Sequence, residues 1–458
     1  MKLRSFAFSA FVTLAAAPLS AQSVADRYRA DANRIIDAAL SDSAAWNRVA
    51  EMTETYGARF SGTPALEQAI DWMLAKMKQD GLQNVRGERV MVPAWVRGAE
   101  SAQLVLPRAQ NLPMLGLGGS IATPPAGVTA DVIVVGSFSD LAANAARAAG
   151  KIVLYDVPFT NYGETVQYRA RGAIEAAKVG AVAVLVRSVT PYSMRTPHTG
   201  GMAYDSSVRR IPAAAITVED AQMLRRMQDR GQRVRVTLKM SAKFNPDAPS
   251  RNVVAELVGS EKPDEVVVFG GHIDSWDVGR GAMDDAGGVV VAWEALRVLQ
   301  RLGLKPKRTI RVVGWTNEEN GGRGGQGYRD AHRASLDKHV LAMESDGGVF
   351  KPQGFGFTGS DAAFEIVKQI GTLLDRIGAG SILRGGGGAD IGPIMALGVP
   401  GMGLNVDGTR YFWYHHTEAD TIDKLDPREM ALCVATMAVM AYIVADLPDP
   451  LPRGAPSR

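Results

Sequence analysis

Imidazole and carboxylate side chains are concentrated in four segments of the second half of the chain, and each segment follows a stretch that predicts a β-strand. In chain order these side chains are His272 and Asp274 with Asp284 and Asp285 after them, Glu318 and Glu319, Asp346, and His415 and His416. Nitrogen and oxygen donors without a thiolate suit zinc or another borderline divalent cation. A carboxylate-rich set can hold two such ions about 3.5–4 Å apart through a bridging carboxylate.

Any one of these segments would be weak evidence, because a lone His-x-Asp or Glu-Glu pair is more often a surface or structural feature. Four of them at successive strand ends are harder to attribute to chance. Ligands of open α/β sheets bind at the carboxyl ends of the strands. The sequence therefore predicts a metal site at that edge of a sheet.

The elements that would position these residues alternate between strand and helix from Arg251 onward. The predicted strands are Val266–Gly270, Thr309–Trp315, Val340–Met343 and Pro400–Leu404, and the predicted helices are Gly288–Leu302, Gly324–Ala331, Ala362–Ile377 and Pro427–Ala445. Such alternation is typical of an α/β fold with a mainly parallel sheet and helices on both faces.

The first half of the chain predicts two further parts. Residues 22–111, helical and then β-rich, form the N-terminal part of the catalytic domain, whose main part spans 249–458. Between them, residues 112–248 predict an inserted domain that begins with a Gly/Pro-rich linker at 112–127. We find no catalytic constellation in this insert, and its one histidine, His198, is predicted to be exposed in a loop.

Composition narrows the class of protein. The chain has 458 residues, with 46% hydrophobic and 22% charged residues, as soluble globular proteins have. A net charge of +3 does not favour nucleic acid or an anionic membrane as a partner. The chain has a single cysteine, Cys433, so an intrachain disulfide is excluded. A zinc site built from several cysteine thiolates is excluded for the same reason. Serine-hydrolase and thermolysin-like motifs are also missing from the sequence.

The chain resembles the di-zinc, aminopeptidase-like metallopeptidases over nearly the whole mature sequence. Besides the segments above, the resemblance is carried by residues 59–65, 93–98, 113–120 and 420–422. The inserted segment resembles a protease-associated domain. This resemblance implies a zinc-exopeptidase fold, two zinc ions per chain, a short peptide as substrate and a homodimer.

The resemblance also implies a role for individual residues. His272 and Asp346 would bind one zinc, Glu319 and His416 the other, Asp284 would bridge both, Glu318 would be the general base, and Asp274 would orient His272. Asp284 is preferred over Asp285 because the first acid of the pair is the ligand in this family. His416 is preferred over His415 because the family's ligand directly precedes Thr or Ser.

Other segments predict supporting roles. The glycine-rich stretch from Arg384 to Asp390 lacks the Gly-Lys-Ser/Thr of a phosphate loop, so we expect a flexible loop near the site, with Asp390 as a supporting residue. The aromatic run Tyr411–Tyr414 is a candidate for the wall of a substrate pocket.

The expected function is therefore an exported zinc exopeptidase that hydrolyses short peptides, with dipeptides as the expected substrates. Three alternatives stay open: an aminopeptidase of the same family, a single-zinc acyltransferase of the glutaminyl-cyclase type, and a non-catalytic binding protein with the insert as its interaction module. The complete ligand set argues against the last two. A count of zinc ions per chain would separate the classes: two for a di-zinc peptidase, one for the acyltransferase and none for the binding protein.

The first residues predict a secretory signal peptide, residues 1–21. Lys2 and Arg4 precede the apolar run Phe6–Ala17, which is shorter than a membrane span, and Ala21 is a plausible cleavage position. No later segment is expected to span a membrane, and the mature protein is expected to be periplasmic or extracellular.

We expect the exported protein to begin near Gln22, because cleavage follows the small residues after the apolar run. N-terminal sequencing of the protein purified from the exported fraction checks this. An intact Met1 on that material would show the prediction to be wrong.

Overall fold

The computed structural model describes residues 23–454, and the predicted signal peptide lies outside this range. The described chain forms two mixed sheets of eight strands each. The helices are α1 Val24–Leu40, α2 Ala44–Tyr56, α3 Pro64–Gln79, α4 Phe138–Ala143, α5 Ala145–Ala148, α6 Tyr162–Lys178, α7 Val218–Asp229, α8 Gly287–Arg301, α9 Arg323–His332, α10 Asp361–Gly371, α11 Gly392–Met395, α12 Tyr411–Tyr414 and α13 Pro427–Asp446. The strands are β1 Gln83–Val96, β2 Glu100–Leu106, β3 Gln110–Leu112, β4 Met114–Gly116, β5 Val128–Val135, β6 Ile152–Tyr155, β7 Ala183–Arg187, β8 Ala213–Ile216, β9 Arg235–Met240, β10 Lys243–Leu257, β11 Lys262–His272, β12 Arg308–Trp315, β13 His339–Glu344, β14 Pro352–Thr358, β15 Ser381–Arg384 and β16 Gly401–Val406.

The first sheet has the strand order β1-β10-β12-β11-β13-β16-β14-β15. Its four central strands, β12, β11, β13 and β16, are parallel to one another. Antiparallel pairs flank them, β10 with β12 on one side and β14 with β16 on the other. The predicted α/β fold class is confirmed, and the sheet is parallel in its centre and mixed at its edges.

Helices cover both faces of this sheet. Alternate residues of a strand point to opposite faces, and the central strands carry apolar residues on both, so each face needs a covering layer. On β11, Val267 and Phe269 pack into the larger core with α8 and α13. Val266 and Val268 belong to a second core on the other face, which Tyr328 of α9 completes. Apolar side chains on both faces explain the continuous hydrophobic run of this strand.

The expectation that no later segment could span a membrane does not hold for the length and composition of helix α13. By length and composition it is apolar enough to do so, and it is the one such helix in the described part of the chain. Its apolar residues are buried in the larger core, where it packs against α8 and α1. Such burial is typical of the core helix of a globular protein.

The second sheet has the order β3-β2-β9-β5-β6-β7-β8-β4, with β5 to β8 parallel. It includes β2 and β3, which precede the expected start of the insert, and the boundary at residue 112 stays a prediction. The linker interpretation of residues 112–127 is wrong for Met114–Gly116, which pairs with β8. The prediction for His198 is also wrong, because this residue is only 1% exposed.

Candidate functional site

The predicted site residues follow the carboxyl ends of the four central parallel strands, which are neighbours in the sheet. His272 is the last residue of β11, Glu318 and Glu319 follow β12, and Asp346 follows β13. His416 comes after β16 and the short helix α12. Because parallel strands end at the same edge, these distant segments of the sequence meet in one place.

Asp284 lies at the centre of the cluster. One of its carboxylate oxygens, Oδ1, is 3.2 Å from His272 Nε2, and the other, Oδ2, is 3.2 Å from His416 Nε2. His272 Nε2 also lies 3.3 Å from Asp346 Oδ1, and His416 Nε2 lies 3.1 Å from Glu319 Oε2. Asp284 therefore stands between two donor groups.

The contacts of Asp285 and His415 differ from those of their neighbours Asp284 and His416. Asp285 accepts hydrogen bonds from the backbone N–H groups of His272 and Gly288, both at 3.0 Å, and it is in neither candidate ligand group. His415 stacks on His416, and its Nε2 is 3.6 Å from Asp284 Oδ2. His415 is thus close enough to join His416 and Asp284 in a candidate ligand group.

Asp274 contacts His272 differently from the expectation. Its main-chain carbonyl is 3.0 Å from His272 Nδ1, whereas its carboxylate is 3.7 Å away. The carboxylate instead accepts hydrogen bonds from the backbone N–H groups of Glu318 and Glu319, at 3.1 and 3.3 Å. Asp274 therefore links the ends of β11 and β12 and fixes the backbone of both glutamates.

The turn that carries Asp284 is held by a carboxylate from a distant part of the chain. Asp420 accepts hydrogen bonds from the backbone N–H groups of Ala282, Met283 and Asp284, at 3.1, 2.7 and 3.1 Å. The fully buried Arg59 donates to the carbonyl oxygen of Gly281 in the same turn. Sequence analysis assigned no role to either residue, although both belong to the motifs that carry the family resemblance.

A loop of the second sheet also reaches the site. The backbone N–H of Thr199 donates to the carbonyl of His416 at 3.0 Å, and the carbonyl of Thr199 lies 3.3 Å from His416 Nδ1. His416 has a φ of +61°, a conformation that few non-glycine residues adopt. This pair of contacts holds the imidazole with Nε2 toward Asp284 and Glu319.

A cavity of about 780 Å³ opens onto the cluster. Tyr162 and Arg169 of α6 form part of its wall, together with Tyr411 and Phe412. The other two aromatic residues of the predicted run are not part of that wall. The volume falls within the range of small-molecule sites, about 300–1,000 Å³.

Burial gives the acidic groups around the cavity unusual proton affinities. Burial raises the pKa of Glu318 to about 8, and the charge of Asp346 contributes to the same shift. Burial likewise raises the pKa of Asp390, whose two carboxylate oxygens have no hydrogen-bond partner among the described residues. A cation bound beside these groups would lower their pKa values again, because it favours the charged form.

The donor set fits divalent metal ions. Three buried atoms at its centre have no hydrogen-bond partner among the described residues: His272 Nε2, Asp284 Oδ2 and Glu319 Oε1. Zinc–ligand bonds of about 2.0–2.1 Å place neighbouring ligands of a tetrahedron roughly 3.3 Å apart. The nitrogen–oxygen separations at Asp284 and Glu319, 3.1 to 3.2 Å, are close to that value.

Comparison with known proteins agrees with the fold and confirms the family resemblance. Residues 252–441 match peptidase family M28. The human carboxypeptidase Q is 48% identical over 408 residues, which cover 89% of this chain and 86% of that protein. The chain belongs to peptidase family M28 and is a metallopeptidase.

The similarity to individual relatives extends over nearly the whole chain. Carboxypeptidase Q of Xenopus laevis is 49% identical over 429 residues, covering 93% of this chain and 92% of that protein. The crystal structure of a peptidase M28 precursor from Shewanella amazonensis is 36% identical, with a TM-score of 0.90, and covers 94% of this chain and all of that one. The similarity therefore includes the second sheet as well as residues 252–441.

Replacing Asp420 with alanine should destabilise the fold, because three buried backbone N–H groups would lose their acceptor. We expect a loss of about 2–3 kcal/mol in the free energy of unfolding. The measurement is urea unfolding with a chelator present, so that metal binding does not contribute.

The matched control is Asp423→Ala, in the same loop, because the Asp423 side chain is 65% exposed. We expect this variant to lose less than about 0.5 kcal/mol. Equal losses in the two variants would contradict the role of Asp420 as the acceptor for the Asp284 turn.

Proposed function

We propose that the protein is an exported di-zinc metallo-exopeptidase that hydrolyses short peptides, above all dipeptides. The observation that carries this proposal is the position of Asp284, whose two oxygens each lie 3.2 Å from an imidazole nitrogen of a different donor group. A carboxylate with one oxygen toward each group is suited to bridge two ions. The homodimer implied by the family resemblance stays a prediction.

In this proposal His272 and Asp346 would hold one zinc, Glu319 and His416 would hold the other, and Asp284 would serve both. Bound zinc supplies a Lewis acid for the scissile carbonyl and lowers the pKa of water. The remaining contacts of the site serve these ligands, because Thr199 and Asp274 fix the orientation of His416 and His272.

Glu318 is the proposed general base. Its side chain lies against the cavity, and the Asp274 carboxylate fixes its backbone N–H. The carboxylate takes a proton from the attacking water, holds it on an Oε atom, and delivers it to the leaving amine. The neighbouring Glu319 faces His416 instead, so the two glutamates have different surroundings.

Replacing Glu318 with glutamine should lower kcat by about 10²–10⁴, because the amide keeps the size of the side chain but cannot accept the proton. Both zinc ions should remain bound. Glu319→Gln, the matched variant one residue away, should instead lose occupancy of one zinc position and recover in part when zinc is added. The measurements are kcat and zinc content for the two variants side by side.

Two results would contradict this assignment. Loss of zinc from Glu318→Gln, with zinc retained in Glu319→Gln, would reverse the two roles. Full activity of Glu318→Gln would show that another group takes the proton.

Dipeptides with free termini should be hydrolysed faster than long peptides, because walls from both sheets enclose the cavity. Tyr162 and Arg169 lie on the side of the second sheet, and Tyr411 and Phe412 follow β16 of the first. We expect at least a tenfold higher kcat/KM for a dipeptide than for a twenty-residue peptide that ends in the same two residues. Mass spectrometry of the products gives both rates, and equal rates would rule out this size limit.

A further inference from the structure

A loop of the second sheet lies along the segment that carries His416. The loop connects β7 to β8, and the segment, residues 411–416, begins with the four-residue helix α12. The last carbonyl groups of a helix have no partner within it, so their donors come from elsewhere. The loop supplies three donors to this segment, from Thr190 Oγ1 to the carbonyl of Phe412 at 2.6 Å, from His198 Nδ1 to that of His415 at 2.8 Å and from the Thr199 N–H to that of His416 at 3.0 Å.

The His198 ring is buried for the sake of this one contact. His198 is 1% exposed, and its Nε2 is buried without a hydrogen-bond partner among the described residues. Burial lowers the pKa of His198 to about 3, so the ring is neutral, and Nδ1 carries the proton because a carbonyl oxygen can only accept. A buried polar atom without a partner costs free energy, and a residue that only filled space here would be apolar. The contact of Nδ1 with His415 is therefore what an imidazole adds at this position.

The second sheet fixes the loop at this point. The backbone N–H of His198 donates to Ser188 Oγ at 2.9 Å, and Ser188 Oγ donates to the carbonyl of Ile216, the last residue of β8, at 2.8 Å. The Thr199 hydroxyl donates to the carbonyl of Gly116, the last residue of β4, also at 2.8 Å. His198 and Thr199 are thus attached to the ends of two strands that are neighbours in the second sheet.

Two peptide groups flank His416, and the loop holds both of them. His198 holds the carbonyl of the peptide before His416, and Thr199 holds the carbonyl of the peptide after it. Because a peptide group is planar, its carbonyl sets its orientation, and the two orientations together set φ and ψ of His416. The resulting φ of +61° is one that residues with a side chain avoid, because Cβ then crowds a carbonyl oxygen. Such a conformation persists where the surroundings impose it.

We propose that His198 is a positioning residue for the metal ligand His416. By holding the peptide before His416, it keeps the ring with Nε2 toward Asp284 and Glu319 before any ion is bound. The second sheet thereby sets the affinity of this position for zinc, whereas the position at His272 does not depend on it. This inference rests on the proposed di-zinc function and adds the group that prepares one of the two positions.

The first measurement is the affinity for zinc at each position, from calorimetric titration of the zinc-free protein. Glu319→Gln identifies which of the two affinities belongs to the position at His416. His198→Leu should weaken that affinity about tenfold, the lower end of the effect of groups that orient metal ligands, and should leave the other within about threefold. His198→Asn should stay within about threefold of the wild type at both positions, because its amide nitrogen can donate to the same carbonyl.

The matched control is His339→Leu. His339 is also 1% exposed, and its Nδ1 is also 3.0 Å from a backbone carbonyl, but it lies at the start of β13 and its Nε2 contacts the Tyr328 hydroxyl. This variant should have a lower thermal midpoint, because a buried hydrogen bond is lost, and unchanged zinc affinities. A weaker zinc affinity in both leucine variants would make the effect a general loss of stability and would overturn the proposal.

Hydrogen exchange shows without any substitution whether the loop or the metal orders the segment. The backbone N–H of Thr199, which donates to His416, should be as strongly protected in the zinc-free wild type as in the zinc-loaded one. His198→Leu should lose this protection when zinc is absent. Fast exchange of this N–H in the zinc-free wild type would show that the metal orders the segment, and it would overturn the proposal even if His198→Leu did not fold.

The outcomes also separate this inference from the function on which it rests. Equal zinc affinities in the wild type and His198→Leu would remove the role of His198 and leave the di-zinc function intact. If the wild type bound fewer than two zinc ions, the di-zinc function would fail. Exchange of the Thr199 N–H would then still decide whether the loop holds His416 in place.

Discussion

The concentration of buried carboxylates at one edge of the first sheet is the constraint on which the rest of the structure depends. Among the described residues, six acidic ones are buried there: Asp274, Asp284, Asp285, Glu344, Asp390 and Asp420. Taking several negative charges out of water costs several kcal/mol each unless each one is compensated. Most of the local architecture can be understood as the means of compensating them.

The compensation differs between an outer and an inner group of acids. In the outer group, Asp274, Asp285 and Asp420 accept hydrogen bonds from backbone N–H groups, which ties the strand ends and the turn together. In the inner group, Asp284 and the neighbouring Glu319, which is not one of the six, each keep a buried oxygen that has no hydrogen-bond partner within residues 23–454. Backbone dipoles therefore fix the shape of the site, and the unsatisfied oxygens at its centre are left for cations.

The sequence predicted the parts of this arrangement that depend on local pattern. Strand ends were visible because an apolar run stops where polar residues begin, and that alone placed His272, Glu318 and Asp346 at one edge. The short strands β14 and β15 were not predicted, because glycine and polar residues interrupt their apolar pattern. The first part of residues 22–111 was identified as helical, but the breaks between α1, α2 and α3 were not.

Contacts between distant residues could not be predicted from pattern. His198 was expected at the surface because it lies in a polar loop, yet that loop packs on the segment after β16, where the ring contacts the carbonyl of His415. The family resemblance supplied the roles of the acids but not the actual contact of the Asp274 carboxylate. Tertiary contacts decide such details, and a linear pattern does not encode them.

The loop that includes Thr199 and Gly200 has a consequence for protein engineering. Residues 252–441, which match the family, exclude this loop as well as Arg59, so a fragment trimmed to that match would lack supports for both His416 and the Asp284 turn. In a chimera, exchange of the second sheet for that of a relative would replace part of the scaffold around a candidate metal ligand. The smallest transferable unit of this enzyme therefore includes both sheets.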